Sequence, residues 1–195
     1  MNRITFLAAL VAAIFVCQAV AQIPRPERFD FLTKPAQAAS PNNAAITALN
    51  AGMFFPNIPG APNPAVTQDN IASTICVSGW TAKIRPPESV TEVEKKAAMA
   101  KAGIPWSQSK NYEWDHHYPM EAGGNPTSPL NLALQSYVAK PWNAHLKDKL
   151  ENFAHRQVCA HKMTLQQAQA LFVGVDWRIS YCRYFKISAC ASLPK

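Results

Sequence analysis

The stretch Tyr112-Glu113-Trp114-Asp115-His116-His117-Tyr118-Pro119-Met120-Glu121-Ala122-Gly123-Gly124-Asn125-Pro126-Thr127-Ser128-Pro129-Leu130-Asn131-Leu132 decides how this 195-residue chain is read. Residues 112–118 read as a strand bounded by Pro119, which cannot donate to a ladder. Residues 121–129 are dense in Gly, Asn, Pro and Ser and read as a loop. Residues 131–137 then give a second strand. Downstream, Pro141 or Trp142 opens a helix running to about residue 160, and Thr164 caps another reaching about 180. Upstream, residues 71–83 read as an extended segment holding Cys76 and Trp80, stopped by Pro86-Pro87. Ser89 or Thr91 caps a helix to about Ala102, with Glu92 and Glu94 favouring its start and Gly103 its end. The expectation is one small α+β domain over 69–195, large enough for its own core.

Residues 1–21 read as a secretory signal. Arg3 is followed by an apolar run, and Ala19-Val20-Ala21 supplies a small-x-small cleavage site. The run is too short and wrongly flanked for a membrane span. Residues 22–68 read as a Pro/Ala/Asn-rich arm: eight of the sixteen prolines fall between Gln22 and Pro64, and such a composition buries too little apolar surface to offset its ordering entropy. The protein is thus expected to be exported, to the periplasm or outside the cell. Removing the leader leaves 18 Lys+Arg against 12 Asp+Glu, a basic balance that suits a polyanion. Four cysteines remain, Cys76, Cys159, Cys182 and Cys190, enough for two disulfides in any of three connectivities. None forms a C-x-x-C pair, which argues against a zinc knuckle.

All five histidines lie within residues 116–161, alongside Asp115, Asp148 and Glu151. On the helix expected from residue 141, a turn of 100° per residue puts His145, Asp148, Glu151, Asn152 and His155 on an arc of about 120°. Leu146, Leu150, Phe153, Ala154 and Val158 occupy a different face. Glu151 and His155 stand at i and i+4, a spacing that lets both reach one divalent ion.

With Asp115-His116, Pro119, Met120, Gly123-Gly124 and Asn131-Leu132 in this order, followed by a helix bearing His and carboxylates, the chain resembles the HNH endonuclease family. The run from Cys76 through Trp80 to Arg85-Pro86-Pro87 is similar to an exported bacterial branch of that family. So are Lys147-Asp148, Glu151, His155, Val158-Cys159, the run from Leu165 to Gln169, and Asp176-Trp177. The likeness spans roughly residues 74–177. It implies a disulfide between Cys76 and Cys159, which leaves Cys182 with Cys190. It departs from the family pattern at His117, usually apolar, at Met120 for Leu, and at Ala133, where Trp is frequent.

The resemblance implies a ββα unit holding one divalent metal ion between a strand and a helix. His116 would be the general base toward water, and Asn131 would hold the loop or orient His116. Asp115 would bind the metal, with Glu151 and His155 as first choice on the helix and Asp148 next. Magnesium, manganese, zinc and nickel all remain open. Lys147, His145 and His117 are candidates for nucleic-acid contact. The expected partner is a DNA or RNA backbone met without sequence preference, with no membrane after leader removal; an inhibitor protein is the other partner considered. Two readings compete with the nuclease: a non-catalytic secreted binding module on the same scaffold, and a hydrolase of some other phosphodiester.

Overall fold

A computed structural model describes residues 59–193; the leader and most of the arm expected from the sequence lie outside them. The chain forms a small α+β body. Its elements are α1 (Trp80–Ile84), α2 (Glu88–Lys101), β1 (Tyr112–His116), β2 (Leu132–Ser136), α3 (Ala144–Cys159), α4 (Leu165–Gln169) and α5 (Trp177–Tyr184), with short 3-10 turns between. The two strands pair antiparallel, from Tyr112 opposite Ser136 to His116 opposite Leu132.

Alternation along these strands divides the sheet into two faces. Tyr112 and Leu134 pack on Met99 and Ile104, at and beyond the end of α2. Ala133 faces the larger core, built from Trp142, Leu150, Ala154 and Val158 with Leu165, Phe172, Trp177 and Tyr181. Leu150, Ala154 and Val158 recur at i, i+4 and i+8, so α3 presents one apolar stripe to this core. Asn143 caps α3, its side chain accepting from the Leu146 amide at 3.2 Å.

Several expected elements come out differently. Residues 71–83 are not extended: a 3-10 turn at Gln68–Ser73 is followed by turns and by α1, which starts after Gly79 at φ 75°. The helix expected from Thr164 to about 180 is two helices. Gly174 takes φ 74° between them, and Asp176 caps a fresh start by accepting from the Arg178 amide at 3.0 Å. The fold also begins before Asp69. Pro62 bridges Gly124, Asn125 donates to the Ala61 carbonyl at 2.8 Å, and Val66 belongs to the core.

Both implied disulfides form, Cys76–Cys159 and Cys182–Cys190. The first ties the segment before α1 to the last residue of α3; the second fastens the C-terminal turn to α5. They fit an exported protein. Among the described residues no helix is long and apolar enough to cross a membrane.

Candidate functional site

The Gly-Gly loop is built around one side chain. Asn131 is fully buried. Its Oδ1 accepts from the amides of Tyr118 (2.7 Å) and Ala61 (3.3 Å), and its Nδ2 donates to the carbonyls of Tyr118 (3.0 Å) and Asn125 (2.8 Å). Every hydrogen-bonding position of the amide is used. The loop folds back so closely that a Cβ on Gly124 would lie 1.8 Å from the Tyr118 oxygen. Asn131 therefore holds the loop, and its amide has no hydrogen bond left to give the His116 ring.

The loop in turn fixes His116. Its imidazole is buried, with Nε2 3.1 Å from the Pro126 carbonyl oxygen. A carbonyl only accepts, so Nε2 carries the proton and Nδ1 the lone pair. Burial holds the pKa below the ordinary 6.5, against the opposing influence of that carbonyl and of Asp115. His116 is thus a neutral base at neutral pH. It lines a cleft of about 240 Å³ together with Thr81, Arg85, Glu113, Asp115, Glu121, Asp148 and Glu151.

Between β1 and α3 lies a cation supplied by the chain itself. Lys147 is fully buried; its ammonium donates to Asp115 Oδ2 (2.9 Å), to the His116 carbonyl (2.8 Å) and to Glu151 Oε1. Burial alone would lower its pKa, but the Asp115 and Glu151 carboxylates outweigh burial and raise it. Asp115 Oδ1 also accepts the His116 amide at 2.7 Å. The ammonium is thus held between two carboxyl groups, Asp115 and Glu151. Burial pushes Glu151 upward against the opposing pull of the Lys147 ammonium, and the charges of Asp115 and Asp148 add to the rise. The same causes raise Glu113 to about 7 and shift Asp148 upward. Glu113 Oε2 and Glu121 Oε2 are buried atoms with no hydrogen-bond partner.

Asp115, His116, Asp148 and Glu151 therefore come together as the sequence suggested, but other expectations need correcting. Lys147 cannot meet a nucleic acid, because it is enclosed and all three of its protons are donated within the protein. His155 turns away from the cleft: its Nε2 lies 2.8 Å from the Ile75 carbonyl. There it joins Cys76 and Cys159, with ligand atoms all within 4.8 Å, a group able to hold a metal ion. While the sulfurs share a disulfide, neither offers a thiolate. His117 is also buried, packed under Gly60, and burial lowers its pKa to about 4. His145 alone of the three contact candidates is on the surface, stacked on Tyr137 at 5.0 Å and 4.0 Å from Asp148 Oδ2.

Sequence reasoning missed Glu113, Glu121 and Arg85. Glu113 was within reach, since strand alternation puts it on the Asp115 face. No local signal marks the other two. Compared with family models, curated proteins and solved structures, the chain matches none. What its fold and site define by themselves is a small disulfide-linked α+β protein with a carboxylate-lined cleft beside a buried, neutral histidine.

Proposed function

We propose that this protein is a metal-dependent endonuclease hydrolysing nucleic-acid phosphodiester bonds, with β1, β2 and α3 as its ββα unit. The supporting observation is His116, a neutral imidazole in an acidic cleft whose tautomer the Pro126 carbonyl fixes. Its Nδ1 takes a proton from the water that attacks phosphorus. Asp115 holds the His116 backbone through Oδ1, and Lys147 grips the same strand end through the His116 carbonyl. Asn131 keeps the Pro126 side of the loop in place.

A divalent cation suits the donor set. The unpartnered oxygens of Glu113 and Glu121, with raised pKa values at Glu113 and Asp148, mark more negative charge than Lys147 and Arg85 balance. Asp148, Glu113 and Glu121 would hold it, whereas Asp115 and Glu151 are both engaged by Lys147. The oxygens of the three would have to draw together around the ion, since among the described residues only Cys76, His155 and Cys159 gather ligand atoms within 4.8 Å. Oxygen donors with His116 as the cleft's one imidazole favour magnesium or manganese over zinc or nickel. When bound, the ion would neutralise charge on the scissile phosphate and its leaving oxygen.

Plasmid nicking and RNA degradation, with Mg²⁺ or Mn²⁺ and with EDTA, test the reading. Cleavage that EDTA stops and that His116→Ala removes is expected. Intact DNA and RNA under every metal condition would overturn it. A non-catalytic binding module is the second reading, and one observation favours it: Lys147 already neutralises Asp115, so the centre holds together with no metal. Nucleic-acid binding without turnover would select that alternative.

A further inference from the structure

Arg85 stands where the cleft needs a positive charge, and it is the single Lys or Arg lining that cleft. It also lines the adjoining groove of about 380 Å³, together with Lys95, Lys110, Trp106 and Tyr137. His116 and Glu113 are the other residues common to both, so Arg85 sits at the junction beside the base. Five carboxylate side chains share the cleft with it, yet among the described residues its guanidinium forms no ion pair or hydrogen bond. Its backbone, by contrast, is well held. Arg85 ends α1 with its amide on the Thr81 carbonyl at 3.0 Å, Pro86-Pro87 follow, and Cys76 just upstream is bonded to α3.

A phosphodiester brought to His116 meets a wall of carboxylates. Lys147 cannot offset them for the substrate, being enclosed with its protons spent. Glu88 and Glu92 line the outer groove alongside Lys95 and Lys110, so the groove itself offers the anion little net positive charge. It must be gripped locally, and a guanidinium fork matches two phosphate oxygens. We propose that Arg85 binds the phosphate of a nucleic-acid strand against His116, with the adjoining nucleotide lying along the groove past Trp106. This rests on the nuclease reading and gives it a substrate-binding residue.

The test is binding, measured apart from cleavage. Labelled DNA and RNA oligonucleotides are titrated by fluorescence polarisation into the full chain carrying His116→Ala, and into wild type in EDTA, across a salt series. Adding Arg85→Gln is expected to weaken binding at least ten-fold at low salt and to reduce the slope of log Kd against log salt by about one. Arg85→Lys recovers part of the affinity, keeping the charge but losing the fork. Lys162→Gln, an exposed charge outside both cavities, is the control and changes neither quantity. Equal affinity and slope with and without Arg85 would overturn the proposal, as would absence of binding by the parent proteins. If binding falls as expected while wild type cleaves nothing, the phosphate site stands and the hydrolytic reading falls.

Discussion

Replacing Lys147 by Met tests the account of the buried centre most directly. The ammonium has three acceptors: Asp115 Oδ2, the His116 carbonyl and Glu151. Met fills similar volume and donates nothing. Asp115, with 7% of its side chain exposed, then keeps only the His116 amide at 2.7 Å and holds a buried charge with no counterion. Breaking a buried pair in this way costs about 3–5 kcal/mol. Glu151 loses the same donor, and burial then drives it to take up a proton. Adding Asp115→Asn removes the stranded charge and keeps an oxygen for the His116 amide, so the double variant should recover roughly 2 kcal/mol of that loss. Urea unfolding at pH 7, followed by circular dichroism for wild type, both single variants and the double, gives the cycle. A cost below about 1 kcal/mol for Lys147→Met, or strictly additive costs in the double, would refute the reasoning.

Four further outcomes follow from particular groups. Loss of Cys76–Cys159, which spans 83 residues, should destabilise by about 4.5 kcal/mol on the chain-entropy argument, against about 2.5 kcal/mol for Cys182–Cys190, which spans 8; serine variants compared by denaturant unfolding reverse that order if the idea is wrong. Gly124→Ala drives a methyl to 1.8 Å from the Tyr118 oxygen and should cost roughly 3 kcal/mol, visible as a lowered Tm; an unchanged Tm contradicts the tight fold-back. Cleavage should rise with pH through a value below 6.5, because burial keeps His116 neutral and the base is the unprotonated ring. Manganese affinity should rise between pH 6 and 8, since the ion must displace a proton that Glu113 keeps up to about 7; a flat calorimetric titration series removes Glu113 from the site.

Local chemistry made the strand–loop–strand segment legible. Pro119, the glycine pair and Asn131 each act within a few residues of themselves, so their spacing encodes the turn. The helix was legible as an amphipathic element, but its polar face was not. Lys147 neighbours the polar arc on the wheel, and its burial is decided by Asp115, 32 residues away. His155 has the right spacing to join Glu151, and is instead turned aside by the Ile75 carbonyl, 80 residues away. His117 read as a candidate for nucleic-acid contact, and the segment that covers it, around Gly60, had the composition of a free arm. The single helix expected after Thr164 failed at Gly174, where a left-handed backbone and the Asp176 cap outcompete propagation. Glu113 needed only the alternation already applied to its neighbours.

The four hydrogen bonds of Asn131 have a bearing on how this surface can change over time. Because one enclosed amide fixes Tyr118, Asn125 and Ala61, the shape of the loop owes little to the exposed residues Thr127, Pro129 and Leu130. Those positions can drift while the carbonyl that sets the His116 tautomer stays put. The rim beside the buried imidazole can therefore change its shape and charge at little risk to the packing beneath it.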